Sequence, residues 1–538
     1  MILKSSLNQI NEFFLFLSNH LRKFYLHSSI YNKKISKIND RTLQYTPSPN
    51  LLDCLVKYNK KKNNIEDYFI NSLWANSKLN KKDYEKLHNF YWFFSLDLKS
   101  SKKNTQSVIK NWIKYNSKYN EKSWHFDLTA KRIIAWLSCH DLTYNNDNED
   151  YRNNFNIIIQ KQTNHLINEI NKSKLIDDKI IGCASIILVG LCYQNKNKYL
   201  SYGLNLLKRI TKETLDNYGF PKSRNIKQLI LYLKYFILIR EWYKETQIKV
   251  PEHIDETIYY LGQGYAFVWQ NINFDILYNG NNNSDNGNFD NYLKRFGYKF
   301  KNESQDFGGY TILKNKKICL TMDVGSTPIS TFTKDYQSGA LSIEIVSNGK
   351  KLITNCGYSK KNNFKLNKLS KSTATHNTLI IDDNSSCKFN EVNKLLFVKK
   401  GLKVSKKETV YEKNYWKISA SHDGYKKKYN TIHEREIEFF PEQSTFIGID
   451  KIIKKNNKNY KFDIRFHVEP DVRLMKTQDS KSILIQLENE GWKFTCDNFD
   501  INIDNGLYFG NKNSYKENQN IFISGMNNEK EQVIKWEI

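Results

Sequence analysis

The chain has 538 residues, a formal net charge of +27 and a mean hydropathy of −0.66. It is too long for one hydrophobic core, so we expect two or three domains. The charge favours polyanionic partners, but lysine is scattered and far outnumbers arginine, as in proteins encoded by AT-rich genomes. Base-reading sites depend on arginine, so this composition argues against specific recognition of nucleic acid.

The N-terminal region, residues 1–100, is predicted to be a helical extension. Its first 27 residues carry apolar side chains at helical spacing, without the apolar segment and small-residue cleavage site of a secretory signal. No apolar run in the chain reaches about 18 residues, so the sequence predicts no transmembrane helix.

Residues 101–275 are predicted to form an incomplete α/α toroid. Several segments have apolar residues at positions i, i+3 and i+4, and some are apolar on more than one face. That pattern is typical of helices packed in layers. The segments are 107–120, 128–142, 151–173, 179–194, 199–219 and 225–245.

A loop or linker at a domain boundary is predicted at residues 276–290, which are dense in glycine, asparagine and aspartate. From residue 291 to 538 the chain consists of short alternating blocks separated by turn signals, such as Asn348-Gly349. Many short strands at near-regular spacing indicate an antiparallel β-sandwich. The predicted fold class is therefore multidomain α+β, with helices first and strands second.

The eight cysteines include no CxxC pair, and several lie inside apolar segments. Buried free thiols are the expected state. Cys356 and Cys387 lie in polar surroundings and could form a bridge, which the sequence leaves open. The oligomeric state is also open.

Motifs in the second half resemble, in order and spacing, the C-terminal domain of the heparinase II/III family. They are "GALSIEIVSNGKKLITNCG", "STATHNTLIIDD", "ISASHDGYKKKYNTIHEREIEF" and "IRFHVEPDV". In the first half, "FDLTAKRIIAWLSCHDL" and "GFPKSRNIKQLILYLKYFILI" look like the toroid segments of that family. The resemblance extends over about residues 110–538.

The resemblance implies cleavage of an acidic, uronate-containing polysaccharide by β-elimination, without a redox cofactor and in the cell envelope or periplasm. No export signal is visible, so a cytoplasmic location stays open. One alternative is a non-catalytic glycan-binding or envelope-glycan assembly protein on the same scaffold. A second alternative is a nucleic-acid binder driven by the net charge.

β-Elimination needs a group that neutralises the uronate carboxylate, a base for the C5 proton and an acid for the departing oxygen. The matched motifs assign the carboxylate to Arg224 and proton transfer to Tyr336 or His376, with His422 nearby. Residues expected to contact the substrate are Asn377, Gln337, His125, Tyr425 and His433.

The chain also departs from the family pattern. Asp335 stands where the resemblance places a catalytic histidine, and the Asn-His pair and the tyrosine of the family's helical half are missing. In some members the histidine at His376 binds a metal together with upstream ligands, which here become Gln337 and Asn355. Amides are poor zinc ligands, so we expect no metal and no cofactor. The substitutions favour the binding alternative.

Overall fold

The computed structural model describes residues 17–18, 20–38, 42–56, 74, 79–96, 102–145, 148–193, 196–270, 275–282, 287–359, 363–392, 394–511 and 515–538. It divides into two compact units. The first, called the helical unit, comprises Met1–Glu213, Leu231–Ile258 and Gly287–Gly297. The second, called the β unit, comprises Thr214–Ile230, Tyr259–Asn286 and Tyr298–Ile538. The chain therefore passes between the two units several times.

The helices of the N-terminal half confirm the predicted helical segments. Their bounds are α1 Ser29–Ile35, α2 Lys81–His88, α3 Lys102–Asn116, α4 Phe126–Ser138, α5 His140–Thr143, α6 Glu149–Glu169, α7 Ile176–Cys192, α8 Lys196–Thr214, α9 Ile226–Glu245, α10 Glu252–Tyr265 and α11 Gly287–Arg295. Helix α7 is buried along most of its length and packs against α4 and α6. Its small residues permit this packing, since a Cβ at Gly182 would lie 2.9 Å from Ile170 Cδ1. None of the helices in the described ranges is long and apolar enough to span a bilayer.

Arg132 of α4 is a buried cation in the centre of the helical unit. Its guanidinium lies 4.1 Å from the Trp112 ring centroid and donates to the carbonyl of His88 at 2.9 Å and to Gln162 Oε1 at 2.8 Å. Burial lowers the pKa of Arg132 to about 9. The side chain joins three helical segments, so its role is structural.

The β unit consists of antiparallel sheets, which confirms the predicted fold class. The strands are β1 Asp306–Phe307, β2 Tyr310–Lys314, β3 Ile318–Asp323, β4 Ile343–Ser347, β5 Lys350–Ile353, β6 Leu379–Ile381, β7 Lys388–Val392, β8 Leu395–Lys400, β9 Val404–Tyr411, β10 Trp416–His422, β11 Thr431–Phe440, β12 Thr445–Lys454, β13 Tyr460–His467, β14 Arg473–Lys476, β15 Ser482–Gln486, β16 Gly491–Cys496, β17 Ile501–Tyr508, β18 Lys516–Asn527 and β19 Glu531–Glu537. Two short helices, α12 Phe364–Ser370 and α13 Lys426–Tyr429, interrupt them.

Sheet order follows largely from hairpins. One sheet runs β1-β2-β3-β4-β5, a second runs β14-β15-β16-β19-β12-β11-β10-β9, a third runs β17-β18-β13-β6, and β7 pairs with β8. In β11 and β12 buried and half-buried residues alternate, as the period of a strand with one core face requires. Gly448 of β12 leaves room for the Trp536 ring, which a Cβ there would overlap.

A buried ion pair fixes the centre of the large sheet. Arg435 donates to Asp450 through Nε at 2.8 Å and Nη2 at 3.0 Å, and Trp536 Nε1 donates to Asp450 Oδ2 at 2.9 Å. Burial alone would raise the pKa of Asp450, but the Arg435 charge and the His433 hydrogen bond hold it below its usual range. The carboxylate is thus ionised and bridges β11, β12 and β19.

The asparagine-rich segment 276–282, predicted as a loop or linker, is a loop in the interior of the β unit. Asn279 Nδ2 donates to Tyr310 Oη at 2.7 Å, Asn281 Nδ2 to the Ile276 carbonyl at 2.7 Å, and Asn282 Nδ2 to the Phe509 carbonyl at 2.8 Å. The amides satisfy buried polar groups of distant segments, which composition cannot show. Residues 283–286 lie outside the described ranges, and the predicted linker's end falls within α11.

The cysteines are free thiols, and all but the half-buried Cys496 are buried. The bridge considered for Cys356 and Cys387 is not formed. Burial raises the pKa of Cys356, so this thiol stays protonated.

The ion pair at Asp450 yields a stability prediction. Replacing Asp450 by Asn leaves the Arg435 guanidinium buried without a counter-charge, which costs about 3–5 kcal/mol of unfolding free energy. The control is Asp504→Asn, whose partner Arg465 lies 3.1 Å away at a half-exposed position. The control should lose no more than about 1 kcal/mol. Urea titration followed by tryptophan fluorescence measures both, and equal losses would contradict the assignment.

Candidate active site

Arg224, predicted to bind the substrate carboxylate, binds a carboxylate of the protein itself. Its Nη2 lies 2.6 Å from Asp323 Oδ1 and 2.8 Å from the Gly309 carbonyl, and Nη1 donates to the Gly325 carbonyl at 3.0 Å. Burial alone would lower the pKa of Arg224, but Asp323 raises it, so the guanidinium stays charged. Both terminal nitrogens of the guanidinium thus donate to acceptors within the protein, so the contacts of Arg224 are structural.

The backbone around Arg224 is shaped for this clamp. Arg224 itself has φ of 60°, a conformation that residues other than glycine rarely adopt. A Cβ at Gly325 would overlap the guanidinium. The strained turn places Asn225 immediately before α9, where its Oδ1 accepts from the Lys227 N–H at 2.8 Å as an N-cap.

Tyr336 and His376, the predicted proton-transfer residues, are both 1% exposed. Tyr336 packs in a small apolar cluster with Cys387 and Val398, and its hydroxyl accepts from Thr327 Oγ1 at 3.2 Å. His376 Nδ1 lies 2.9 Å from the Ser372 carbonyl, which can only accept, so Nδ1 carries the proton. Burial lowers the pKa of His376 to about 4, and the ring is neutral.

Asn377 and Gln337, predicted substrate contacts, are fully buried connectors. Asn377 Nδ2 donates to the Ile343 carbonyl at 2.7 Å, and its Oδ1 accepts from the His467 N–H at 2.7 Å. Gln337 Oε1 accepts from the Gly280 N–H at 3.0 Å, and its Nε2 donates to the carbonyl of Gly357 at 3.1 Å. Both amides hold loops and strands of the β unit together.

His422 and His433 form a buried chain that ends on Asp450. The Gly424 N–H donates to His422 Nδ1 at 3.1 Å, so the neutral His422 ring carries its proton on Nε2, 3.2 Å from His433 Nδ1. His433 Nε2 then donates to Asp450 Oδ1 at 2.6 Å. Burial lowers the pKa of both imidazoles. Tyr425, beside them, is buried and donates to the Leu379 carbonyl at 2.7 Å.

His125 is the predicted residue with an exposed side chain, and it lies in the helical unit at the start of α4. Burial raises the pKa of Asp178 of α7, and the neighbouring His125 acts in the opposite direction. Ser173 Oγ donates to Asp178 Oδ2 at 3.0 Å. His125 belongs to the helical unit, whereas the other predicted residues belong to the β unit.

A different group of polar side chains surrounds Asp335, and we call it the Asp335 site: Asn225, Asp335, Tyr358 and Lys371. The Tyr358 hydroxyl donates to Asp335 Oδ1 at 2.9 Å, and Asn225 Nδ2 donates to Asp335 Oδ2 at 3.2 Å. Asp335 is 8% exposed and Tyr358 4%. Burial and the Asp335 carboxylate raise the pKa of Tyr358 far above its usual value, so the phenol is a proton donor.

Lys371 supplies the positive charge of this site. Its Nζ donates to the Lys334 and Leu396 carbonyls, the latter at 3.0 Å. Burial lowers the pKa of Lys371 to about 8, although Asp335 acts in the opposite direction. Gly280 lies against the carboxylate, since a Cβ there would be 2.7 Å from Asn225 Nδ2 and 2.9 Å from Asp335 Cβ. The glycine thus allows close approach of the backbone.

The sequence identified Asp335 only as a substitution and did not identify Tyr358, Asn225 or Lys371 as site residues. The signal available was the aspartate at a family catalytic position, but its partners lie 23 and 110 residues away. Contacts over such separations leave no local pattern.

The residues around His376 do not fit a metal ion. His376 Nε2 is buried and has no hydrogen-bond partner, so this nitrogen offers a single lone pair to a metal ion. Both amide atoms of Gln337 are bound to backbone, and Asn355 Oδ1 accepts from the Asn377 N–H at 3.0 Å. Within the described ranges, no group of three or more His, Cys, Asp or Glu side chains could hold a metal.

Comparison with protein families assigns residues 302–537 to the model described as Heparinase II/III-like, C-terminal. A search of curated protein sequences finds no match.

Solved structures match nearly the whole chain. Heparinase III matches with 15% identity and a TM-score of 0.69, over 94% of this chain and 88% of that one. The heparinase III BT4657 gene product matches with 14% identity and a TM-score of 0.67, over 93% and 84%. A mutant of heparan sulfate lyase HepC from Pedobacter heparinus matches with 12% identity and a TM-score of 0.66, over 86% and 78%. At these identities the similarity shows the fold: a helical region followed by antiparallel sheets.

Buried neutral imidazoles make the β unit sensitive to acid. Burial lowers the pKa of His376 to about 4 and of His467 to about 3, whereas an unfolded histidine titrates near 6.5. Between these values the unfolded chain binds more protons, so stability is complete above about pH 6.5 and is lost as the pH falls towards 4.

We therefore expect the melting temperature to fall steeply across that pH window, as measured by circular dichroism. His376→Gln keeps a donor for the Ser372 carbonyl and removes one titrating ring, so its melting temperature should depend less on pH. If the melting temperature of the variant depends on pH as steeply as that of the unaltered protein, His376 does not contribute to the acid sensitivity.

Proposed function

We propose, from the match of residues 302–537 to the Heparinase II/III-like, C-terminal model, that this protein cleaves an acidic, uronate-containing polysaccharide by β-elimination at the Asp335 site. The observation that carries the proposal is the 2.9 Å hydrogen bond from the Tyr358 phenol to Asp335 within the family domain. It joins a base and an acid, which β-elimination requires together.

The pair can complete a proton cycle. Asp335 takes the C5 proton of the uronate, the C4–O bond breaks as the C4–C5 double bond forms, and Tyr358 donates its proton to the departing oxygen. The proton on Asp335 then returns to the Tyr358 phenolate along their hydrogen bond. The raised pKa of Tyr358 suits the donor role, since the phenol holds its proton until the leaving oxygen needs it.

Neighbouring groups support the orientation of the pair. Asn225 holds the second carboxylate oxygen of Asp335, and Asn282 fixes the Tyr358 main chain by donating to its carbonyl. Lys227 Nζ donates to Asn282 Oδ1 at 2.9 Å and is half-buried, so it is our candidate for neutralising the uronate carboxylate in place of Arg224. A cell-envelope location remains part of this proposal.

A second function, glycan binding without turnover, is favoured by a separate observation. Tyr336, His376, His422 and Arg224 are buried and hydrogen-bonded within the β unit, so the residues that the family resemblance assigned to chemistry are occupied by structural contacts. The two functions differ in whether the Asp335–Tyr358 pair is needed.

The test compares Asp335→Asn and Tyr358→Phe with the unaltered protein on uronate-containing polysaccharides. Each change removes one proton-transfer group, so we expect a loss of about 10²–10⁴ in rate. The rate is followed by the near-ultraviolet absorbance of the unsaturated product.

The matched control is Tyr336→Phe, which removes a hydroxyl outside the proposed pair and should retain activity. Activity that depends on Tyr336 and not on Tyr358 would overturn the assignment. Polysaccharide binding that persists in every variant, with no unsaturated product from the unaltered protein, would select the binding function.

A further inference from the structure

One surface of the β unit concentrates positive charge without neutralising it. We call it the lysine patch: Lys388, Lys399, Lys400 and Lys427, all exposed. Lys388 and Lys400 are directly paired across the β7–β8 hairpin. Like charges at opposed strand positions destabilise a sheet, so this pairing works against the hairpin.

Lys427 of α13 brings a third ammonium to the same place. Its charge is the largest cause that lowers the pKa of Lys400, and the charges of Lys388 and Lys399 act in the same direction. No carboxylate in the described part of the chain lies within 4.0 Å of these four ammonium groups. Asp423, just before α13, instead accepts from the Lys403 N–H at 2.7 Å.

Lysines on the adjacent sheet show the opposite arrangement. Lys406 of β9 pairs with Glu434, Lys407 pairs with Asp306 at 3.2 Å, and Lys417 of β10 pairs with Glu408 at 3.1 Å. These three lysines are each neutralised by a carboxylate, whereas the four of the lysine patch are not, within the described residues. The lysine patch therefore differs from these three lysines in having no carboxylate partner in that part of the chain, although the residue type is the same.

The β7–β8 hairpin connects the patch to the Asp335 site. Lys371 Nζ donates to the Leu396 carbonyl of β8 at 3.0 Å and lies 5.3 Å from the Phe389 ring centroid of β7. From Leu396 to Lys400 the strand advances four residues, or about 13 Å. One polymer could therefore contact both places, whereas a short fragment in the Asp335 site would not reach the patch.

We propose that the lysine patch binds the sulfate or carboxylate groups of an acidic polysaccharide whose chain extends beyond the Asp335 site. The inference rests on the proposed function for the identity of the polymer. Clustered ammonium groups form point-charge contacts with such anions. The neighbouring aromatic rings of Tyr425 and Tyr429 are buried, so the patch has no exposed ring from these residues for stacking nucleic-acid bases.

The test measures binding of heparin, which carries sulfate and carboxylate, and of hyaluronan, which carries carboxylate alone. All variants are made in full-length protein carrying Asp335→Asn, so turnover does not alter the ligand. The patch variant is Lys388→Gln, Lys400→Gln and Lys427→Gln. The control variant is Lys406→Gln, Lys407→Gln and Lys417→Gln, which changes the net charge by the same amount.

We expect the patch variant to bind heparin about tenfold more weakly or worse, with a reduced salt dependence, and the control to change less than about twofold. Loss with heparin alone identifies sulfate as the ligand group, and loss with both polymers identifies carboxylate as sufficient. Equal losses in the two variants, or none in the patch variant, would overturn the proposal. So would tighter binding of single-stranded DNA than of heparin to the unaltered patch at the same salt.

Failure of the proposed function is distinguishable from failure of this inference. If the Asp335-containing protein makes no unsaturated product while the patch variant still loses heparin binding, the lyase assignment fails and the patch remains a polysaccharide site. If the enzyme is active, the patch variant with Asp335 restored should show a raised KM for long chains and an unchanged KM for short oligosaccharides. An equal change for both lengths would contradict a contact beyond the Asp335 site.

Discussion

The ion pair between Arg224 and Asp323 organises the region from which the rest of the proposed site is built. The guanidinium enters a space that glycines 309 and 325 leave open, and it holds the turn that precedes α9. Asn225 follows in that turn and reaches Asp335, while Asn279 reaches Asp323 at 3.2 Å from the segment before Gly280. A buried charge with all these partners tolerates little displacement, because separating it from the carboxylate would leave both ions unpaired.

The fold was predictable because its signals are local and repeated. Helix α7 is apolar on all faces, and β11 and β12 alternate over ten residues each, so the side-chain period alone indicates the element. The order of the motifs then specified the family. Segment 276–282 was predicted as a loop or linker because glycine and asparagine indicate a turn locally. Its burial was not predictable, because the partners of Asn279 and Asn282 lie far along the chain.

The site was predicted much less well, because residue type does not show which way a side chain faces. Arg224 was predicted to bind the substrate carboxylate, whereas its guanidinium binds the carboxylate of Asp323, which lies 99 residues away in the chain. The His376–Asn377 pair opens a strand and suggested the wall of a cleft, whereas its polar atoms bind the Ser372 and Ile343 carbonyls. Histidine, tyrosine and amide side chains serve a buried hydrogen-bond network as well as they serve catalysis, and sequence alone does not separate the two uses.

Lysine side chains contribute to the net charge of +27, and in the β unit they occur in three different environments. Lys454, like Lys371, is buried and donates to carbonyls, as at Asn527 O over 2.8 Å. Lys407 lies on the surface and forms an ion pair with Asp306. Lys388 and Lys400 oppose each other with no counter-charge among the described residues. A composition biased towards lysine supplies side chains for all three arrangements, so only their placement distinguishes them. Where uncompensated ammonium groups cluster, as at Lys388 and Lys400, the local potential favours binding of a polyanion most strongly.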